Sequence, residues 1–320
     1  MSSMKNQGYP IMNEEKEEKN RVEPKTLYLV ATPIGNLSDL SARALKILSE
    51  VDLIAAEDTR NSAKLLTCFD IHKPLISYFE HNKRQRGEEI VSRLEGGASC
   101  ALITDAGTPA ISDPGEDLVR LCGERNIRVI SVPGCCAAIT ALTLSGLPTG
   151  RFVFEGFLTT QKSERRARLS FLAAEERTMI FYEAPHKLRT TLDDMAAAFG
   201  EDRHIALCRE LTKRNEETMR TTIGEAVSYY KEQDPRGEYV LIVAGCDPET
   251  KTAAEVWTSM TEAEHVLWYL SMNPGMKKLD AVKAVAKIRG VPRNDVYQAV
   301  LELEQEASER NPDADENRDT

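Results

Sequence analysis

Four short loops in the first half of the chain carry the residue types that could hold a ligand. They are ATPIGN at 31–36, EDTR at 57–60, TDAGTPAISDPG at 104–115 and PGCCAA at 133–138. Each follows an apolar run of strand length, and the carboxyl ends of parallel strands meet at one edge of a sheet, where open α/β folds bind ligands. The loops together therefore predict a ligand site, although each one alone also fits an ordinary strand-to-helix turn.

The composition of these loops indicates which chemical class of ligand they could bind. Gly107 can bring its backbone close to a bound molecule or adopt a positive φ. The loops at 31–36 and 133–138 are rich in Pro, Gly and small side chains, which suits a neutral or zwitterionic molecule held by backbone groups. Neither the P-loop signature nor the GxGxxG fingerprint occurs, so the sequence offers no mechanistic reason to expect ATP or a pyrophosphate cofactor.

Periodicity of apolar residues divides the chain into units that would position these loops. Residues 25–148 alternate five strands with five helices, which predicts a parallel sheet covered by helices. Residues 149–246 are again α/β, with neighbouring strands that favour a mixed sheet. Residues 260–304 are helical and end in two helices joined by a short Gly-containing turn, similar to a helix-turn-helix. Residues 1–24 predict a flexible extension, and 305–320 an acidic disordered tail.

Two helix starts are predicted from capping residues. One helix is expected over 38–50, capped by Ser38 or Asp39. Another is expected to begin at Asp113, which would form a capping box with Glu116 and so close the loop at 104–115.

The apolar runs and the cysteine content of the chain exclude several classes of protein. No apolar run is long enough to cross a bilayer, and the first residues lack the apolar core of a secretion signal, so a cytoplasmic protein is expected. Seven cysteines without a CxxC pair predict neither a disulfide framework nor a zinc site, and no metal is expected. The adjacent Cys135 and Cys136 could form a redox pair or pack as small thiols at a helix start.

Eight motifs, in this order and spacing, resemble those of the tetrapyrrole methylase superfamily of S-adenosylmethionine-dependent transferases. They are PIGN, EDTR, DAGTPAISDPG, VPGCCAA, FEGF, FYEAPHK, CRELTK and GEYV. The resemblance runs from about residue 25 to 245. More narrowly, the motifs and the helical unit at 260–303 are similar to a branch that methylates ribosomal RNA. The resemblance implies two α/β domains with S-adenosylmethionine in the cleft between them, usually as a homodimer. It also implies 2′-O-methylation of a cytidine ribose in 16S rRNA, in the decoding region of the small ribosomal subunit.

The resemblance also implies a set of cofactor-binding residues. The Gly-Asp-Pro loop of the family corresponds to 107–109, so Thr108 stands where the family has aspartate, and Asp105 is expected to supply a carboxylate instead. The expected cofactor-binding residues are Pro33, Gly35, Asp105, Gly107, Thr108, Ile111, Cys136, Ala137, Tyr182 and Val240.

For the implied reaction, in-line positioning supplies much of the catalysis, and a base near the ribose hydroxyl would help. Asp58 and Glu183 on the cleft rims are the candidate bases, with Arg60 orienting a carboxylate or a phosphate. Asp58 and Arg60 could equally form a structural ion pair.

Local basic clusters suit the implied RNA partner in spite of a net charge of −10. Much of that charge lies in residues 301–320, which hold eight acidic and two basic residues. The clusters could be solvated helix faces, but an RNA substrate favours phosphate contacts. The expected RNA-binding residues are Arg165, Arg166, Arg168, Lys283, Lys287 and Arg289.

Two other functions compete with RNA methylation. One is methylation of carbon or nitrogen atoms of a tetrapyrrole on the same fold, although the basic segments count against a small macrocycle as substrate. The other is a non-catalytic helix-turn-helix regulator whose α/β body senses a metabolite.

Overall fold

The computed structural model describes residues 21–246, 260–272 and 275–310, with the side chains of the last helix described to Leu303. The chain divides into two compact units, one ending at Ala244 and one beginning at Gly245. Among the residues that the structure describes, the first unit holds two five-stranded sheets, and the second holds three helices.

The first sheet is parallel throughout, as predicted, with strand order β3-β2-β4-β1-β5. Its strands are β1 Thr26–Val30, β2 Leu53–Ala56, β3 Leu75–Ser77, β4 Cys100–Ile103 and β5 Arg128–Val132. The helices between them are α1 Ala42–Glu50, α2 Thr59–Cys68, α3 Lys83–Glu95 and α4 Gly115–Glu124, preceded by a 3₁₀ turn at Leu37–Asp39.

Both faces of this sheet are buried because its strands are apolar at consecutive positions. Tyr28 and Val30 pack on one face in a core with α1 and α2. Leu27 points to the opposite face, into a core with α3 and α4. Successive strand side chains alternate between faces, so a run such as β2, buried at all four positions, needs helices on both sides.

The second sheet is mixed, again as predicted, with strand order β6-β7-β10-β8-β9. Strands β6 and β7 are parallel, and the other neighbours are antiparallel. The strands are β6 Phe152–Phe157, β7 Thr178–Glu183, β8 His204–Arg209, β9 Glu217–Thr222 and β10 Tyr239–Val243. The helices are α5 Ala137–Ser145, which precedes β6, then α6 Lys162–Leu172, α7 Pro185–Phe199 and α8 Ile223–Glu232.

Helix α5 joins the two sheets. It follows β5 of the first sheet, yet Ala138, Ala141 and Leu142 pack against Ile180 and other residues on one face of the second sheet. Helices α6, α7 and α8 cover the opposite face, which carries Phe181. The carboxyl edge of the first sheet is thereby brought against the second sheet.

In the described part of the second unit, three helices pack together: α9 Glu262–Met272, α10 Lys278–Arg289 and α11 Arg293–Arg310. Val266, Val285 and Val300 are among the buried residues of its core. Gly290 ends α10 with φ +68°, a left-handed conformation that glycine adopts without steric cost, and the chain turns directly into α11. This arrangement of α10 and α11 agrees with the predicted helix-turn-helix-like unit.

The two capping predictions were wrong in detail. Ser41, rather than Ser38 or Asp39, accepts the bond from the backbone N–H of Ala44, because the chain is extended at Leu40 and separates the 3₁₀ turn from α1. At α4 no capping box forms. The Asp113 carboxylate instead accepts backbone N–H groups of the loop before it and of Gly115, so it holds the loop as well as the helix start.

The described residues reach into both segments predicted to be disordered. Val22 packs against the core of the first sheet, and the Glu23 N–H donates to the Tyr28 hydroxyl at 2.8 Å. Helix α11 continues to Arg310, within the predicted tail at 305–320. The rest of these two predictions, residues 1–20 and 311–320, lies outside the described residues.

Candidate functional site

The loops after β1 and β4 are bonded to each other at the carboxyl edge of the first sheet. The Thr32 N–H donates to the Gly107 carbonyl at 2.9 Å, and the Gly107 N–H donates to the Thr32 carbonyl at 3.1 Å. The Thr32 hydroxyl also donates to the Thr104 carbonyl at 3.2 Å. Because β1 and β4 are neighbours in the sheet, their loops leave it side by side, and these bonds hold them as one surface.

Thr108 ties this surface to the loop after β5. Its hydroxyl donates to the Cys135 carbonyl at 2.8 Å. An ionised aspartate has no proton to donate, so it could not make this bond. At the position where the family resemblance implies an aspartate, this chain therefore has a bond between two loops.

A cavity of about 490 Å³ opens between these loops and the second sheet. Its volume lies within the range of roughly 300–1,000 Å³ that is typical of small-molecule sites. The loops of the first sheet and the start of α5 contribute Ile34, Ala106, Gly107, Thr108, Ile111, Cys136 and Ala137. The second sheet and its loops contribute Phe157, residues 182–186, Cys208, Glu210, Leu211, Lys213 and residues 238–240.

Most of the expected cofactor-binding residues line this cavity. They are Gly107, Thr108, Ile111, Cys136, Ala137, Tyr182 and Val240. Sheet register explains the last two, because Val240 of β10 lies opposite Tyr182 on one side and Cys208 on the other. Three neighbouring strands therefore present one side chain each at the same level of the cavity wall.

Pro33, Gly35 and Asp105 lie outside the cavity lining. Packing explains why position 35 is glycine, since a Cβ there would overlap the Lys213 side chain. The Asp105 carboxylate accepts a bond from the Asn61 amide at 3.4 Å and is exposed. Pro33 precedes Ile34, which does line the cavity.

A charged cluster on the cavity wall was not predicted. The Lys213 ammonium lies 3.0 Å from a Glu210 carboxylate oxygen and 2.9 Å from one of Glu238. These bonds outweigh burial and raise the pKa of Lys213, and the Lys213 ammonium lowers the pKa of Glu210. Glu210 and Thr212 have φ of +53° and +65°, a strained conformation for non-glycine residues that is concentrated at functional sites. The CRELTK motif contains this loop, but spacing alone does not reveal its conformation.

The lining residues carry more acidic than basic charge. The lining holds three carboxylates, those of Glu183, Glu210 and Glu238, and one ammonium, that of Lys213. This balance favours a ligand with positive charge and disfavours a polyphosphate. A sulfonium cofactor such as S-adenosylmethionine fits that balance, and the apolar wall of Ile34 and Val240 fits its adenosyl group.

Of the three expected catalytic residues, one lines the cavity and two lie outside it. Glu183 lines the cavity but is only 4% exposed, and its carboxylate accepts from the Ala184 N–H at 2.8 Å and the Thr191 hydroxyl at 2.5 Å. Asp58 and Arg60 are outside the lining. Asp58 is the N-cap of α2, and the bond that it accepts from the Arg60 N–H at 2.8 Å lowers the pKa of Asp58.

The expected RNA-binding arginines of α6 are bonded within the protein. Arg165 is buried and pairs with Asp194 at 2.7 Å, which also holds Arg166 at 2.7 Å. Arg168 donates two bonds of 2.9 Å to Glu155. The guanidinium groups of Arg166 and Arg168 remain about half exposed, whereas that of Arg165 does not.

In the helical unit, Lys283 and Lys287 are exposed on α10. Arg289 is mostly buried, and its guanidinium contacts Glu262 at 3.2 Å and the His265 ring at 3.1 Å. Arg289 therefore also binds α9 to α10.

Within residues 21–246, 260–272 and 275–310, no group of three or more His, Cys, Asp or Glu side chains is arranged to hold a metal ion. No helix in the same ranges is long and apolar enough to cross a bilayer.

Known proteins are similar to this chain in sequence and in fold. The sequence model for tetrapyrrole (corrin/porphyrin) methylases matches residues 26–227. The chain is 48% identical over 278 residues to ribosomal RNA small subunit methyltransferase I of Synechocystis sp., covering 87% of this chain and 98% of that protein. Proteins of the same name from Halalkalibacterium halodurans and Bacillus subtilis are 47% and 46% identical, covering 89% and 85% of this chain and 98% and 93% of theirs.

Solved structures agree on the fold. A cobalt precorrin-4 methyltransferase matches with a TM-score of 0.52 and 16% identity, over 69% of this chain and 95% of its own. A diphthine synthase matches with a TM-score of 0.53 and 13% identity, over 69% of this chain and 90% of its own. The chain therefore belongs to the tetrapyrrole methylase family and, within it, to the family of ribosomal RNA small subunit methyltransferase I.

Proposed function

We propose that this protein transfers a methyl group from S-adenosylmethionine to the 2′-hydroxyl of a cytidine ribose in 16S rRNA, in the decoding region of the small subunit. The observation that carries the proposal is the acidic cavity at the carboxyl edge of a parallel sheet, closed by a second sheet, in a chain of this family. The names of its relatives support ribosomal RNA as substrate.

Bound S-adenosylmethionine would supply a methyl group activated by a sulfonium. Tyr182 and Val240, with Ile34, would enclose its adenosyl part, and the carboxylates of Glu210 and Glu238 would balance its positive charge. Thr108 holds two of the loops around it in one position. These residues bind and orient the cofactor, and orientation is the main requirement for an in-line transfer.

The ribose hydroxyl must lose a proton during attack, and a group within hydrogen-bond reach of it would accept that proton. Lys213 suits this task poorly, because its carboxylate partners keep it protonated. Both oxygens of Glu183 already accept bonds, one from the Thr191 hydroxyl in the second turn of α7 and one from the Ala184 N–H, which precedes the first turn. His186 lies on the cavity wall in that turn, and a neutral imidazole nitrogen can accept a proton. We place proton removal at His186, with Glu183 positioning it and Asp58 as the competing candidate.

The substrate side of the proposal includes an assembled or nearly assembled small subunit. The exposed Lys283 and Lys287, with Arg166 and Arg168, suit contacts to an extended polyanion. We further propose a homodimer in the cytoplasm, as the family resemblance implies.

The test is transfer of labelled methyl from S-adenosylmethionine to small subunits from a strain that lacks the corresponding gene. We expect label in 16S rRNA, and digestion to nucleosides should recover it as 2′-O-methylcytidine. Label on a base, or on uroporphyrinogen in place of rRNA, would overturn the proposal. Sedimentation of the pure protein measures the expected dimer.

A further inference from the structure

Two large apolar side chains line the cavity and are nevertheless exposed. Phe157 is 62% exposed and Ile111 is 46% exposed. Phe157 comes from β6 of the second sheet and Ile111 from the loop after β4 of the first. Their exposure places them at the opening of the cavity rather than in its interior. Exposed apolar side chains at the mouth of a cavity, with charged residues close by, are typical of a binding site.

A break in strand register aims Phe157 at this opening. In β6, Phe154 lies opposite Ile180 of β7 and Phe157 lies opposite Tyr182, with a register shift before Gly156. Residues three apart in a regular strand point to opposite faces, so without the shift Phe157 would point away from Phe154. The extra residue, Glu155, puts both rings on the face that carries Tyr182. Bulges next to functional sites often redirect a side chain in this way.

Glycine at 156 makes this geometry possible. Its φ is +64°, which side-chain-bearing residues rarely adopt. A Cβ there would lie 3.2 Å from the Ser112 hydroxyl, so β6 also approaches the loop after β4 closely at this point. Because Ser112 follows Ile111 and Gly156 precedes Phe157, the two exposed side chains belong to one continuous rim.

The ring of Phe157 is supported from within the protein. Its centroid is 5.4 Å from that of Tyr182, which in turn lies 5.1 Å from Phe154 in an edge-to-face contact. Arg168 donates two bonds to Glu155, the extra residue of the bulge, so a guanidinium lies on the same segment. An aromatic face supported on one side and open on the other is a stacking surface.

The part of the occupant that lies on this surface has to be flat, because the ring is aromatic, and it has to carry no negative charge, because the cavity beneath is acidic. A nucleobase meets these requirements, and single-stranded RNA bases are commonly bound by stacking on aromatic side chains. We propose that Phe157, with Ile111 on the adjoining rim, stacks the base of the nucleotide whose ribose is methylated. The nucleotide leaves its own stack so that its ribose reaches the cavity, and its phosphates remain outside near Arg168. The inference rests on the proposed function.

The experiment compares Phe157→Ala, Phe157→Leu and Phe157→Trp with the unaltered chain. Stacking accounts for a loss of roughly tenfold to a hundredfold in kcat/KM on small subunits for the alanine variant. Leucine should restore little of this activity, because it fills volume without a π face, and tryptophan should restore most of it. Tyr229→Ala, an exposed aromatic of α8 outside the cavity lining, is the matched control and should leave kcat/KM unchanged.

Three further measurements separate stacking from other roles. Calorimetry should give the same S-adenosylmethionine affinity for all variants, since a lowered affinity would assign Phe157 to the cofactor. Sedimentation should give one oligomeric state, since a dissociated Phe157→Ala would assign the ring to a subunit interface. If the alanine variant fails to fold, binding of cytidine-containing RNA to Phe157→Trp should change its tryptophan fluorescence beyond that of the unaltered chain, and no such difference would contradict stacking.

The failure of this inference differs from failure of the proposed function. If the unaltered chain does not methylate small subunits, the proposed function fails. If it does methylate them and the leucine variant is as active as the tryptophan variant, only the stacking role of Phe157 fails.

Discussion

At the scale of single residues, Thr108 shows how one atom can determine loop geometry. Its hydroxyl donates to the Cys135 carbonyl, and the loops after β4 and β5 meet through that bond. A hydrogen bond of this kind contributes about 1 kcal/mol to stability. Its larger effect is expected in the shape of the cavity, because both loops line it.

We expect Thr108→Val, which keeps the shape and removes the donor, to weaken S-adenosylmethionine binding several-fold and to lower stability by about 1 kcal/mol. Thr108→Ser keeps the donor and should bind normally. Thr108→Asp should bind less tightly than the serine variant, since an ionised carboxylate faces the Cys135 carbonyl. Calorimetry and thermal unfolding measure these effects, and equal affinity of the valine and serine variants would show that the bond is unimportant.

Asp58 and His186 can be compared directly as candidate bases. Asn caps helices about as well as Asp, so Asp58→Asn removes the carboxylate and keeps the N-cap of α2. We expect this variant to retain kcat, and His186→Asn to lose about 10²-fold in kcat with unchanged cofactor affinity. Single-turnover transfer to small subunits measures both. The opposite pattern would assign proton removal to Asp58.

At the scale of elements, helices α6 and α7 are joined by a buried ion cluster. Asp194 of α7 is 3% exposed and holds both Arg165 and Arg166 of α6. Burial acts to raise the pKa of Asp194, but the two guanidinium groups outweigh it and the pKa is lowered. Removing one partner of a buried pair leaves an uncompensated charge, which is strongly destabilising.

Asp194→Ala and Arg165→Ala should therefore each lower the free energy of unfolding by about 3 kcal/mol. Arg166→Ala, which removes a half-exposed partner, should cost less than about 1 kcal/mol. Because the folded pKa of Asp194 lies below its unfolded value, its contribution is present above the unfolded pKa and is lost as pH falls through the folded pKa. Urea unfolding at several pH values measures this. If Arg165→Ala instead left stability intact and changed only the salt dependence of activity, a direct RNA contact would be favoured.

At the scale of the whole molecule, the first unit contains the cavity and the second unit carries exposed lysines on α10. Phosphate contacts by lysine add affinity that falls with salt and carry no sequence information. The helical unit is therefore expected to position RNA and to contribute little to cofactor binding.

Replacing Lys283 and Lys287 together with Ala should raise KM for small subunits and make the decline of kcat/KM with salt shallower. Cofactor affinity should be unchanged. Arg289 is left intact, because its loss would disturb α9 as well as any RNA contact. Lys231→Ala, which removes an exposed lysine of α8, is the control for loss of a surface charge and is compared with each single lysine variant. Full activity with an unchanged salt slope in the double variant would give this unit another role.

The sequence alone predicted the fold and the sheet edge at which the candidate cavity lies. The spacing of apolar residues in the strands and in the helices between them predicted both sheets, because this spacing indicates which face of each element is buried. The four loops were predicted to meet because parallel strands end at one edge, and the loops after β1, β4 and β5 do line the cavity. The loop at 57–60 is outside the lining, since β4 and β1 separate β2 from β5, the strand that leads to the second sheet.

Only the tertiary structure decided which side chains face the cavity. The bulge that aims Phe157 outward depends on pairing between β6 and β7, and the Lys213 cluster depends on β10 meeting the loop after β8. Whether an arginine is buried or exposed likewise depends on partners distant in sequence, such as Asp194 for Arg165. Local pattern specifies the period and face of each element. The partners of a side chain are set by contacts between elements, which appear only when the chain has folded.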